Sequence, residues 1–196
     1  MENTDKSLIN AHCRGEAAAF AELLHRHGDC VLGYLTRMTG NPELAEEMFQ
    51  ETFRRVHRKA HTFAGRRFKS WLFTIATRVA IDGYRRNTAG PMASLGQRAE
   101  CTDGHCQEPG TTAVAADCLD PSEKTVLAEQ RRQVRLAVDT LPAEQRATLV
   151  LAYYQQLSYP EVAEVLGCST GAVKKQMSRA LRTLARRLPD ISGAAK

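Results

Sequence analysis

Leu157-Ser158-Tyr159-Pro160-Glu161-Val162-Ala163-Glu164-Val165-Leu166-Gly167, continued by Cys168-Ser169-Thr170-Gly171-Ala172-Val173-Lys174-Lys175, is the stretch on which the reading of this chain turns. Ser158 stands before Pro160 and Glu161, the order of an N-cap, an early proline and an acidic first turn. Val162, Ala163, Val165 and Leu166 give a short helix its apolar face, and Gly167 permits a left-handed stop. Ser169 or Thr170 then caps a second helix running to Leu188. From Cys168 to Leu188 there are six basic residues, Lys174, Lys175, Arg179, Arg182, Arg186 and Arg187, and no acidic one. Val173, Met177, Leu181, Leu184 and Leu188 hold the opposite stripe, so one face packs while the other meets phosphates and base edges. Two helices across a tight turn, the second one basic, make a helix-turn-helix whose last helix enters a major groove by its N-terminus.

Positions 175, 179, 182 and 186 recur at spacings of four, three and four, which aligns four cations over about 16 Å of helix rise. Such a face neutralises several phosphates, and each released counterion steepens the salt dependence of binding. Ser169, Thr170, Gly171, Lys174, Lys175, Ser178, Arg179 and Arg182 form the candidate contact set. Thr170, Gly171, Lys174, Lys175 and Ser178 lie early enough in the helix to approach bases, whereas Arg182 and Arg186 fall where phosphates or solvent are met. The rival reading is an ordinary solvated charged face, but the turn and the capping residues agree with the charge.

Outward from this motif the chain divides in three. Residues 1–87 carry 14 Lys and Arg against 10 Asp and Glu, residues 88–121 with Ser122 carry one Arg against 5, and residues 123–196 carry 12 against 7. Two basic blocks therefore flank an acidic middle, which suits a protein that holds one polyanion at two places. In residues 1–87 the periodicity predicts helices over Glu16–Met38, Glu43–Lys59 and Lys69–Arg86, with Asn41 and Pro42 opening the second. Residues 88–121 hold Gly90-Pro91, Gly104, Pro109-Gly110 and Pro121 with few large apolar side chains, and read as a flexible acidic linker that leaves the two ends free to stand apart. Residues 122–196 are helical again, first over Ser122–Thr140, then Ala143–Tyr154, then the motif itself. The expected fold is all-α: two small helical domains on a flexible linker, the C-terminal one carrying the helix-turn-helix.

Two motif sets in series resemble the extracytoplasmic-function sigma factors of bacterial RNA polymerase, a branch of the sigma-70 family. The first is Ala45-Glu46-Glu47-Met48-Phe49-Gln50-Glu51-Thr52-Phe53, with Lys69-Ser70-Trp71-Leu72-Phe73-Thr74-Ile75-Ala76 and Ile81-Asp82-Gly83-Tyr84-Arg85-Arg86. The second is Leu141-Pro142-Ala143-Glu144-Gln145-Arg146 with the helix-turn-helix above. The resemblance implies a factor that binds core RNA polymerase and promoter DNA and directs initiation, without catalysis and without a cofactor. It implies a polymerase-docking face at Glu46, Glu47, Gln50 and Glu51. It implies a −10 reader at His61, Phe63, Arg66, Arg67, Lys69, Arg78, Arg85 and Arg86, and a −35 reader in the last helix. A cognate anti-sigma factor, in many relatives anchored in the membrane, is the implied regulator. Two departures stand out. Thr77-Arg78 replaces the asparagine many relatives have, and Gln155-Gln156 stands where the loop usually carries glycine.

An autonomous helix-turn-helix regulator needs a dimerisation element, and none is visible. A protein-interaction module that only resembles the N-terminal part leaves the basic helix unexplained. His61 and Phe63 beside Arg66, Arg67 and Lys69 suit an unpaired base held by stacking and cations, although Phe63 equally suits a core plug, and Trp71 falls on the apolar side with Ile75. Cys101, His105, Cys106 and Cys118 offer donors adequate for zinc, but adjacent His105 and Cys106 cannot both face one ion without a contorted backbone, so incidental thiols are expected. Cys30 and Cys168 sit in apolar contexts and read as small core residues. No signal peptide is visible and no run nears the roughly 20 apolar residues of a membrane span, so the expected place is the cytoplasm.

Overall fold

The computed structural model describes residues 4–65, 67–89 and 121–188, the side chains of 85–89 and 121–125 excepted. Every regular element among them is helical: α1 (Asp5–Cys13), α2 (Ala17–Thr39), α3 (Pro42–Lys59), a 3-10 turn (Ala60–Thr62), α4 (Phe68–Ala89), α5 (Pro121–Asp139), α6 (Ala143–Tyr153), α7 (Tyr159–Leu166) and α8 (Thr170–Arg187). Residues 90–120 of the expected linker, with Cys101, His105, Cys106 and Cys118, lie outside the described residues, while its ends at Ala89 and Pro121 belong to α4 and α5.

Local chemistry sets the boundaries. The α2 helix stops at Gly40, whose φ of 66° is the left-handed conformation a glycine adopts without a Cβ penalty. Asn41 then caps α3, its Oδ1 accepting from the N–H groups of Glu43 at 2.9 Å and Leu44 at 3.3 Å, with Pro42 in the first turn as its fixed φ favours. One element has no counterpart in the sequence reading: α1, capped by Thr4 and tied to α2 through Asp5, whose Oδ2 lies 2.9 Å from His27 Nε2.

Leu23, Val31, Tyr34 and Leu35 of α2 pack with Ala45, Met48 and Val56 of α3 and Leu72, Phe73, Ala76 and Val79 of α4. Tyr34 is fully buried, and its hydroxyl shares a 2.8 Å hydrogen bond with Thr77 Oγ1. This satisfies both hydroxyls away from water. Burial raises the Tyr34 pKa well beyond the ordinary phenol value, the bond to Thr77 working the other way.

The apolar core continues from these helices into Ala147, Val150, Leu151, Leu157, Val162, Val165 and Val173 of the C-terminal half. A smaller cluster of Val138, Leu141, Leu149, Met177 and Ala180 packs beside it. The composition of residues 88–121 left the two ends free to stand apart; in the structure α7 lies along α4, and α6 packs on α2. One expectation for α8 is corrected. Leu181 is 53% exposed, while Ala180 is fully buried. Each residue advances the helix by about 100°, and the seam that carries Val173 and Met177 reaches Ala180 and Leu184 rather than Leu181.

Arg146 seals the junction. It is 3% exposed, and its Nη1 donates to the carbonyl of Met38 at the end of α2 at 2.5 Å. Nη2 donates to the carbonyls of Asp139 at 2.5 Å and Leu141 at 3.3 Å, and the Asp139 carboxylate lies 3.8 Å from Nη1. A planar fork reaches three carbonyls at once, which an ammonium on a single stem does not. Arg146→Ala is expected to lower the unfolding free energy by about 2–4 kcal/mol, with Arg146→Lys recovering less than half of it. Urea unfolding followed by circular dichroism is the measurement.

Candidate nucleic-acid interface

The last helix is built as a reader. Gly167 takes φ 65° and ends α7. Ser169, not Thr170, is the N-cap of α8, its Oγ accepting from Ala172 N–H at 3.2 Å. Val173, Met177 and Ala180 bury one face. Ser169, Thr170, Gly171, Lys174, Lys175, Ser178, Arg179 and Arg182 are all exposed, as are Arg186 and Arg187. Among the described residues none of the six cations has an acidic partner within 4.0 Å. Their charge therefore faces solvent.

A positioning contact in this helix was not read from the sequence. Gln176 is half-buried, accepts from Thr148 Oγ1 at 2.7 Å, and donates to Glu144 Oε2 at 3.3 Å. These bonds fix the rotation of α8 on α6. The only sequence signal is an uncharged residue among the cations.

On α3, Glu43, Glu46, Glu47 and Gln50 are exposed. Glu51 is different. Its carboxylate accepts from Arg55 Nε at 2.7 Å and Arg54 Nη1 at 2.6 Å, with Arg58 at 3.7 Å. The Arg55 hydrogen bond, with the charges of Arg55 and Arg54, holds the Glu51 carboxyl below its ordinary value. Glu51 is thus already neutralised within its own helix, unlike Glu46 and Glu47. Leu44, Glu47, Met48, Glu51, Arg55, Val79 and Gly83 line an open groove between α3 and α4.

The remaining candidates divide. His61 is exposed on the 3-10 turn and Arg78 is exposed on α4, while Arg66 and the side chains of Arg85 and Arg86 lie outside the described residues. Phe63 is half-buried, its ring 5.4 Å from Trp71 and 5.8 Å from Phe68. This contact fits the plug that the sequence left open beside the stacking role. Trp71 is likewise half-buried against the core. Arg67 pairs with Glu161 of α7, and Lys69 Nζ donates to the carbonyl of Gln155 at 2.8 Å. Two of the expected −10 cations therefore meet the C-terminal half.

Cys30 and Cys168 are half-buried against the core, and burial raises the Cys168 thiol. Among the described residues no three His, Cys, Asp or Glu side chains gather to hold a metal, and no helix is long and apolar enough to cross a membrane.

Comparison with known proteins agrees with this layout. The Sigma-70 region 2 family matches residues 23–90, and the Sigma-70, region 4 family matches residues 131–184. The ECF RNA polymerase sigma factor SigW of Bacillus subtilis is 30% identical over 192 residues, covering 97% of this chain and all of that protein. The chain belongs to the ECF sigma factors of the sigma-70 family. BldN of Streptomyces coelicolor is 35% identical over 93% of this chain and 65% of its own length. Among solved structures, CnrH in complex with the cytosolic domain of CnrY aligns with a TM-score of 0.64 at 26% identity, over 94% of this chain and 97% of that one. The fold is shared with RpoE of Bartonella quintana, solved with the anti-sigma factor NepR, at a TM-score of 0.65 and 23% identity over 87% and 97% of the two chains.

In this sigma factor both departures from the family pattern have a structural place. Thr77 is buried as the partner of Tyr34, so Arg78 alone of the pair faces outward. Gln156 adopts φ 55°, the one positive φ of a non-glycine residue among those described, where a glycine adopts the same turn without steric cost. Gln156→Gly is expected to raise stability by about 0.5–1 kcal/mol, read as a shift in thermal midpoint.

Glu161 closes the capping box of α7: its Oε2 accepts from the Ser158 N–H at 2.8 Å and from the Ser158 hydroxyl at 2.5 Å. The Ser158 hydroxyl, then its N–H, then Arg67 hold the Glu161 carboxyl below its ordinary 4.5. A carboxyl lowered in the folded state stabilises the fold above the unfolded value and loses that contribution as pH falls through the folded one. Acidification below about pH 4.5 is therefore expected to destabilise the native chain more than Glu161→Gln, in urea midpoints measured across the pH series.

Proposed function

We propose a division of labour for this ECF sigma factor, which directs promoter-specific initiation by RNA polymerase. The α8 helix reads the −35 element in the major groove with Ser169, Thr170, Gly171, Lys174, Lys175 and Ser178, while Arg179 and Arg182 hold the flanking phosphates. The observation that carries this is the capped helix with an exposed cationic face. The −10 element is held from the N-terminal half by His61, Arg66, Arg67, Lys69, Arg78, Arg85 and Arg86, with Phe63 buttressing the loop from its aromatic cluster. Glu46, Glu47 and Gln50 on α3 dock on core polymerase, and Glu51 organises the arginines of that helix. Residues 1–87 and 122–196 act as two readers, and 88–121 as the acidic tether between them. The tether adds weak contacts at two sites through effective concentration.

The working place of the protein is the cytoplasm, where core polymerase is met. A cognate anti-sigma factor is its regulator, and the likeness to CnrH, solved with the cytosolic domain of CnrY, supports this. Neither an enzymatic step nor a cofactor enters the proposal.

Transcription with purified core polymerase on a library of −35 and −10 sequences is expected to give initiation that depends on the protein and yields its promoter code. In DNA-binding measurements with holoenzyme on the selected promoter, Arg182→Ala should reduce the slope of log affinity against log salt by about one counterion and weaken all sequences alike. Lys175→Ala should also shift base preference at one −35 position. An unchanged slope and an unchanged preference in both variants would remove the α8 assignment.

A further inference from the structure

The α8 helix carries two overlapping apolar stripes that compete for one seam. Val173, Met177 and Ala180 are buried, and Leu184 packs beside Met177 and Ala180 in the cluster with Val138, Leu141 and Leu149. Leu181 stays outside, 53% exposed. At about 100° per residue, Gln176 and Leu181 lie about 70° to either side of the centre of this seam. Hydrophobic burial pulls α8 towards the Leu181 side, since a leucine gains more by leaving water than the alanine that holds the seam. Gln176 holds the opposite flank. Its Oε1 accepts from Thr148 Oγ1 at 2.7 Å, and its Nε2 donates to Glu144 Oε2 at 3.3 Å. A carboxylate only accepts, so Glu144 fixes which end of the amide faces Thr148. Turning α8 to bury Leu181 carries Gln176 away from both partners.

We propose that Gln176 is a positioning residue that sets the rotational phase of α8, and with it which base of the −35 element each reading side chain meets. Gln176 is half-buried with its amide on α6, whereas Lys174, Lys175 and Ser178 are exposed. Apolar packing alone does not settle the angle, because Val173, Met177 and Leu184 belong to both stripes. The stripe that takes in Leu181 and Leu188 is centred about 30° from the observed one. Such a turn displaces a side chain about 6 Å from the helix axis by about 3 Å. That is comparable with the spacing of about 3.4 Å between successive bases of a strand. A roll of α8 therefore moves each contact towards the neighbouring base instead of weakening it in place. The inference rests on the assignment of α8 to the −35 element.

In the test, holoenzyme reconstituted with each full-length variant selects promoters from a library randomised in the −35 element, with one −10 element throughout. Gln176→Met keeps side-chain length and helix propensity while removing both bonds. The Thr148 hydroxyl retains the carbonyl of Glu144 at 2.8 Å, so the substitution orphans no buried donor. Adding Leu181→Gln removes the opposing pull, at a residue outside the proposed DNA and polymerase contacts. Gln176→Met is expected to change the preferred base at two or more −35 positions. Its affinity for the element selected by the native protein should fall about five- to twentyfold, while its affinity for its own selected element stays within about threefold of the native pairing. The double variant is expected to recover the native preference. Weakening of every sequence alike, with the native element still selected, overturns the proposal, and so does a changed preference that Leu181→Gln leaves uncorrected. If Gln176→Met loses helical signal, Thr148→Val, which removes the 2.7 Å bond from the α6 side, carries the same test. Lys175→Ala is selected in parallel. A shift there with none in Gln176→Met overturns the phase control and leaves α8 as the reader, whereas no shift in either variant removes the reader as well.

Discussion

One buried guanidinium fixes how the two halves of this sigma factor meet. Arg146 arises from the C-terminal half, yet one of its donors goes to Met38 at the end of α2. A charge that is 3% exposed tolerates burial only where its protons are taken. The carbonyls of Met38, Asp139 and Leu141 take them, and Nε alone is without a partner. The last carbonyls of a helix have no acceptor role inside it, so α2 ends with an oxygen in need of a donor, and Arg146 supplies one. The same approach brings the Asp139 carboxylate within 3.2 Å of where a Cβ on Gly40 would lie. The left-handed glycine that ends α2 is therefore also the residue that lets α5 come close.

The parts that were legible in the sequence are those governed by local chemistry. Asn41-Pro42, Ser158 with Glu161, Gly167 and Ser169 each act within a few residues of themselves, and each forms the cap or stop that its type and spacing imply. The cationic face of α8 was legible for the same reason, since helical periodicity alone assigns its sides. Leu181 shows the limit. It shares the pattern with Leu184, yet the seam on α6 is narrow and takes Ala180 instead. The contact across 108 residues between Arg146 and Met38 has no signal in either local segment. The pairing of Arg67 with Glu161 is equally silent, because both residues already had plausible local roles. Sequence reasoning placed Arg67 and Lys69 on DNA, having no means to see that both were occupied from within.

The kinds of contact at the junction divide into two groups that behave differently in water. Arg146, Val162, Ala163, Val165 and Val173 are buried, and separating them exposes both a charge and a hydrophobic face. Arg67 is 63% exposed in its side chain, so its pair with Glu161 is screened by solvent and contributes little to holding the halves together. Affinity and selectivity therefore reside in different places. The buried part sets how firmly the halves hold.

Replacing the rim contacts by phosphates exchanges one set of charge-assisted bonds for another, at a small net difference. Moving the buried surface apart has to be offset by a partner that offers comparable burial. DNA, with a polar and hydrated backbone, offers little of it, whereas a protein surface docking along α3 and the groove beside Leu44, Met48 and Val79 offers more.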